Sequence, residues 1–134
     1  GMLLAVLTTL LFLAALVVIW LNAQRLVQSR QGLVLAWAAT LCAAVVFGRV
    51  LSPQYLIWLL PIVPLVSLRA TMWLVAALIA TNLWYPVPYL DVVLHMDRGD
   101  IVLLVVRNAL LTMLLATLLV AIEPRLRRVL LRRR

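Results

Sequence analysis

Long apolar runs, separated by short polar or proline-containing breaks, divide the chain into five segments. A helix that crosses a membrane needs about 20 apolar residues, and slightly fewer when it is short or buried. The pattern therefore predicts an all-α, polytopic integral membrane helix bundle of about five transmembrane helices, residues 1–122, followed by an arginine-rich cytoplasmic tail, residues 123–134. The five predicted helices cover residues 2–21, 33–51, 53–68, 70–85 and 101–122.

The breaks between the runs carry signals of helix ends. Ser52 is a suitable N-cap, and Pro53 takes the first helical position after it. Pro86 and Pro88 end the fourth predicted helix, and a Glu-Pro pair at 123–124 ends the fifth. The first run has no basic residue before it and is long for a secretory signal, so we expect it to be retained as a span.

The third segment is unusually short and contains Pro61 and Pro64. Its roughly sixteen residues reach only about 24 Å, against about 30 Å of hydrocarbon core. A proline-broken helix in lipid must have its freed carbonyls satisfied by neighbouring helices or by a wet cavity. We therefore expect a short, proline-kinked helix in the interior of the bundle, or one that stops beneath an outer cavity.

Composition supports the membrane assignment. The chain is 67% hydrophobic, has a mean hydropathy of +1.18, and contains 12% charged residues, against about 25% in soluble domains. The net charge of +8 comes from twelve arginines, six of which lie in residues 125–134. An arginine tail directly after a span favours anionic membrane lipids as its partner over nucleic acid.

The arginines also predict an orientation. If the tail is cytoplasmic, alternation of five spans places nine arginines inside and leaves Arg49, Arg98 and Arg107 in the outer half. Because basic residues concentrate on the cytoplasmic side, we expect a multi-pass plasma (inner) membrane protein with its N-terminus outside and its C-terminus in the cytoplasm.

Arg49 is the first candidate for chemistry. It stands three residues before the predicted Ser52-capped helix start on the outer side, where free backbone N–H groups favour anions. Phosphate suits the forked guanidinium of arginine. Gln54 and Tyr55 add an amide and a phenol for phosphate or sugar hydroxyls. The alternatives are an arginine that only extends to the membrane surface, a Gln54 that only caps the helix and a Tyr55 in the interfacial aromatic belt.

Arg107 and Asn108 lie about two turns into the fifth predicted span. An arginine within a membrane costs about 2.5 to 3.5 kcal/mol on insertion scales and is a candidate functional residue. We predict that it converges with Arg49 on the phosphate of a lipid carrier. A structural pair with an aspartate of the preceding loop, or extension of the side chain to the surface, remains the alternative.

Other polar residues give weaker signals. The loop residues Asp91, His95, Asp97 and Asp100 match no defined calcium or zinc spacing, so we predict no metal and no cofactor. Cys42 stands alone in an apolar run and is best explained as a small buried residue. The sequence contains no self-sufficient catalytic constellation.

Three stretches carry a family resemblance: FGRVLSPQYLIWLLPIVPLV, ATNLWYPVPYL and LLVVRNALLTMLLATLLV. In this order they resemble the C-terminal transmembrane helices of bacterial polyprenol-phosphate-dependent glycosyltransferases of the C superfamily, most closely the mannosyltransferase-like family 87. The resemblance covers residues 47–120, and SPQYLIWLLP is its most specific element.

The resemblance implies an extracytoplasmic active site in the cell envelope. The donor would be a polyprenyl-phosphate sugar, mannose-like, and the acceptor a glycan or a lipid-linked molecule, with inversion at the anomeric carbon. The residues that it places near the donor phosphate or sugar are Arg49, Ser52, Gln54 and Tyr55, supported by Arg107 and Asn108.

The chain also departs from that family. Such enzymes have more spans, and their catalytic acidic residue lies in an early extracytoplasmic loop, N-terminal to everything present in this sequence. Together with Gly1 before Met2, this leads us to expect the C-terminal part of a longer enzyme, inactive without its N-terminal half. The alternatives are a small non-enzymatic membrane subunit or scaffold with a partner subunit, and part of a lipid-linked oligosaccharide transporter.

Overall fold

The computed structural model of the protein describes residues 2–48, 53–83 and 98–123. Within these ranges the chain is helical and contains no β-strand, which confirms the all-α class there. The α-helices are α1 (Met2–Leu21), α2 (Ala23–Leu26), α3 (Arg30–Phe47), α4 (Leu56–Leu59), α5 (Leu68–Asn82) and α6 (Arg98–Ile122), with 3-10 helices at Pro53–Tyr55 and Val63–Leu65.

Three of the described helical stretches are long and apolar enough to cross a membrane: Met2–Leu21, Arg30–Phe47 and Ile101–Ile122. Two further apolar segments, Leu56–Leu65 and Leu68–Asn82, are shorter. At 1.5 Å per residue, the fifteen residues of α5 extend about 22 Å, less than a hydrocarbon core of about 30 Å. The length criterion therefore supports three candidate spans in the described residues.

The helix ends follow local capping. The helix α3 begins earlier than predicted, at Arg30, because the Ser29 side chain accepts a hydrogen bond from the Gly32 amide at 3.0 Å. It ends at Phe47, because Gly48 has extended backbone angles (φ −61°, ψ 138°), and so it stops before the predicted end at residue 51. The start of α5 is capped in the same way by Ser67.

The third segment is more broken than predicted. It is not one kinked helix over 53–68 but a 3-10 turn, the single α-turn α4, a hydrogen-bonded turn at residues 60–62 and a second 3-10 turn. Pro61 and Pro64 have no N–H to continue the helical ladder, which explains the breaks. Leu56, Leu59 and Val63 remain buried, and the segment packs against α3 through this side.

Helices α1 and α6 end at the same end of the bundle, where Asn22 Nδ2 lies 3.1 Å from Glu123 Oε2. After α1, the chain reverses direction between α2 and α3. These two helices lie so close together that a Cβ atom placed on Gly32 of α3 would be only 2.9 Å from the Leu26 Cα atom of α2. Near the middle of both α3 and α6, Cys42 Sγ of α3 lies 3.9 Å from the Leu111 carbonyl oxygen of α6. Thus α1 and α6 run in parallel, and α3 runs antiparallel to both.

The core is built on one stripe of α6, which packs most extensively against α5 and also against α3 and α1. Small residues from α3 and α5 let the helix backbones approach closely, as in membrane bundles. The helix α1 is peripheral, because Ala15 is its single buried residue and its other apolar side chains are largely exposed. The buried core side chains of α6 are Leu111, Leu114, Leu115, Leu118 and Ile122.

Candidate functional site

Arg107 lies on the buried stripe of α6. Its side chain is only 3% exposed, which places a guanidinium among apolar helices. It stands four residues before Leu111 and therefore on the same helix face as the core leucines. Counted at 1.5 Å per residue from Ile122, it lies about 22 Å from the end at which α1 and α6 finish.

Asn108 holds the guanidinium in place. Nε and Nη2 of Arg107 donate to Oδ1 of Asn108 at 3.3 and 3.2 Å. The Asn108 side chain itself is exposed on the helix surface. A charge-assisted bond of this kind fixes the direction of an arginine fork and leaves the asparagine amide group at the surface.

A groove of about 70 Å³ opens beside Asn108 and is lined by Val46, Asn108, Leu111 and Thr112, but not by Arg107. It lies between the last turn of α3 and the middle of α6. Thr112 Oγ1 is occupied, since it donates to the Asn108 carbonyl oxygen at 2.8 Å. The groove therefore offers two apolar side chains, Val46 and Leu111, and one available amide. Its volume is well below the roughly 300–1,000 Å³ of an ordinary ligand pocket.

The other predicted site residues are placed only in part. Arg49 and Ser52 lie outside the described residues. Gln54 is exposed, while Tyr55 is half-buried and packs against the core. The Tyr55 ring lies 5.0 Å from the Trp58 ring, centroid to centroid, at an angle of 53°. The hydrogen bonds described for Arg107 go to Asn108 and not to Gln54 or Tyr55.

The predicted loop between the fourth and fifth helices also falls largely beyond these ranges. Asp91, His95 and Asp97 lie outside the described residues. Among the residues that are described, no group of three metal-ligating side chains comes together. The prediction that this loop holds no metal is therefore not tested.

A polar cluster at the opposite end of α6 was not predicted. We call it the clamp and define it as Asn22, Arg25 and Glu123, together with the Ile122 carbonyl. Arg25 donates to that carbonyl, at the C-terminus of α6, and lies 3.4 Å from Asn22 Oδ1. Asn22 in turn donates to Glu123 and to the Val18 carbonyl.

The clamp neutralises the negative end of a helix. The last carbonyls of a helix have no internal donor and carry partial negative charge, so a guanidinium there is favourable. The sequence signal was the position of Asn22 and Arg25 directly after one apolar run and of Glu123 directly after another. It gave no indication that those two runs are neighbours.

The chain matches no protein-family model, and neither a curated protein nor a solved structure matches it.

Proposed function

We propose that this protein is the C-terminal part of a membrane glycosyltransferase that moves a mannose-like sugar from a polyprenyl-phosphate donor to a glycan or lipid-linked acceptor. The observation that carries the proposal is the buried Arg107 and its hydrogen bond to Asn108, which lines a small groove. A polyprenyl phosphate combines one anionic group with a long hydrocarbon chain. The arginine suits the first, and Val46 and Leu111 in the groove would contact only a short part of the second.

The proposal includes five spans with the groove in the outer half of the membrane. Because α3 runs antiparallel to α6, the chain leaves α3 and enters α6 at the same end of the bundle. The intervening chain must then cross the membrane an even number of times. A pair of crossings by the broken third segment and α5 meets this requirement. In this arrangement most of the arginines lie on the side of the membrane where the clamp is, and because basic residues concentrate on the cytoplasmic side, we place the clamp there.

The positions of Arg49 and Ser52 in the sequence are compatible with this site. Val46, which lines the groove, precedes Arg49 by three residues. We infer that the SPQY motif, which follows α3 in the sequence, contributes to the same donor site. Gln54 and Tyr55 then serve the sugar rather than the phosphate.

The test is a transfer assay on the native protein purified from the membranes of its source, with a radiolabelled polyprenyl-phosphate hexose and a glycan acceptor fraction. We expect Arg107→Gln to lower transfer by about 100-fold or more, since a charge-assisted contact to the donor is lost. Arg69→Gln is the matched control, because Arg69 is an exposed arginine at the start of α5. It should leave transfer unchanged.

Arg107→Lys separates a folding defect from a binding defect. It keeps the charge but removes the fork, so we expect a folded protein with intermediate activity. Transfer at the wild-type rate by the folded Arg107→Gln variant would overturn the proposal.

A further inference from the structure

The helix α1 is held to the rest of the bundle mainly at one end. The clamp joins its C-terminal end to α6. Next to the clamp, Ala15 is buried, and Val18 and Ile19 are partly buried against the core. None of the side chains of residues 2–14 is buried. The contact of α1 with the core therefore weakens as the distance from the clamp increases.

The face of α6 that lies towards α1 shows the same change. Thr112, Leu119 and Glu123 share this face, because spacings of seven and eleven residues are close to two and three helical turns. The 3.1 Å contact of Asn22 with Glu123 places the end of α1 against it. Leu119 packs against the core, whereas Thr112 and Asn108, which lie farther from the clamp, are exposed. The two helices are therefore in contact near the clamp and separate beyond it.

The groove beside Asn108 lies in this separated part. Thr8 precedes Asn22 by fourteen residues, as Asn108 precedes Ile122, so both stand about 21 Å from the clamp. The described residues that line the groove nevertheless belong to α3 and α6, and none belongs to α1. We call the space between these parts of the two helices the lateral cleft and define it by Thr8, Val46, Asn108 and Thr112.

The chemistry of the lateral cleft suits a hydrocarbon chain. The two helices beside it are candidate membrane spans, and α1 carries no charged residue. The hydroxyls of Thr8 and Thr9 are occupied, since both donate to carbonyl oxygens of the preceding turn. A groove of about 70 Å³ is too small for a helix, which is about 10–12 Å across with its side chains. A single lipid chain is narrower and needs no hydrogen-bond partner, so it can enter where a helix cannot.

We propose that α1 is a hinged side wall, held to α6 by the clamp, and that the lateral cleft admits the hydrocarbon chain of a polyprenyl lipid from the side of the bundle. The inference rests on the proposed function for the identity of the lipid and adds the route by which its chain enters. The helix α1 lies outside residues 47–120, the stretch that carries the family resemblance. The clamp gains a second role, because it is the point about which α1 turns.

The test measures distances between nitroxide spin labels by pulsed electron paramagnetic resonance, on the full chain in lipid nanodiscs. The cleft pair, Leu4→Cys with Val105→Cys, lies far from the clamp. The control pair, Val17→Cys with Ala116→Cys, lies near it. All four positions are exposed, and Cys42→Ala removes the native thiol from both samples.

Without added lipid, we expect a broader distance distribution for the cleft pair than for the control pair. Polyprenyl phosphate should remove the long distances from the cleft pair and leave the control pair unchanged. Dimethylallyl phosphate, which has the phosphate but almost no chain, should leave both pairs unchanged. Arg25→Gln should broaden the control pair because it weakens the hinge, whereas Arg30→Gln, at the start of α3, should not.

Two results would overturn the inference. The first is a cleft pair as narrow as the control pair before lipid is added, which would show that α1 is packed along its whole length. The second is a cleft pair that polyprenyl phosphate does not change. If uncharged polyprenol narrowed the cleft pair as much as polyprenyl phosphate does, the lateral cleft would be supported and the proposed function would be weakened.

Discussion

The clamp makes a quantitative prediction about Arg25. Arg25→Gln removes the charge that donates to the Ile122 carbonyl and the contact with Asn22 Oδ1. A hydrogen bond that involves a charged group contributes about 1.5–3 kcal/mol, and a charge at a helix terminus about 0.3–1 kcal/mol. Because Arg25 is largely exposed, water weakens both contributions, and we expect a loss of about 1–2 kcal/mol.

The assay is reversible unfolding in mixed micelles, followed by circular dichroism as the fraction of denaturing detergent rises. The expected change corresponds to a factor of about 5–30 in the ratio of unfolded to folded protein. Arg30→Gln is the matched control. Arg30 is also exposed, but it stands in the first turn of α3, at the positive end of that helix. Removing its charge should be neutral or slightly stabilising.

Comparison of the two variants isolates the clamp from a general effect of arginine on detergent binding. Equal shifts for Arg25→Gln and Arg30→Gln would refute the reasoning. A second check uses Glu123→Gln, since Asn22 links Glu123 to Arg25. The double variant should lose less stability than the two single variants added together, because each single change already weakens the shared contact.

Two further predictions concern stability. Gly32→Ala should destabilise the turn between α2 and α3 by about 1–3 kcal/mol, because the new Cβ would overlap the Leu26 backbone; Gly99→Ala, where a Cβ meets nothing within 4 Å, should show no such loss in the same unfolding assay. Ser67→Ala should lower the stability of α5 by about 1 kcal/mol, because it removes the 3.2 Å hydrogen bond that the Ser67 Oγ accepts from the Ala70 amide. The measurement is amide hydrogen exchange, which should become faster in the first turn of α5. Exchange there at the wild-type rate would contradict the capping role.

The parts of the fold that depend on apolar length could be predicted from the sequence. Residues 2–21 and the end of the last helix at Ile122 agree with the structure, because an uninterrupted apolar run has no other stable form in a bilayer. The last helix begins three residues earlier than predicted, at Arg98. Hydropathy cannot detect a polar first turn.

The remaining features depend on which helices are neighbours. Pro61 and Pro64 indicated a break, but the division into short turns also follows from burial of Leu56, Leu59 and Val63 against α3. The clamp joins residues 101 positions apart in the sequence. The place of Arg107 within an apolar run was predicted from the sequence, whereas its burial in the core and its hydrogen bond to Asn108 required the side-chain geometry.

The most direct test of the account measures whether the chain recognises the phosphate of a polyprenyl lipid. Polyprenyl phosphate and the uncharged polyprenol of equal length would compete for the purified protein in nanodiscs, with native mass spectrometry as the readout. We predict a preference of about tenfold or more for the phosphate, the scale of a charge-assisted contact, and its loss in Arg107→Gln but not in Arg69→Gln. Equal binding of the two lipids by the wild-type protein would contradict the central claim.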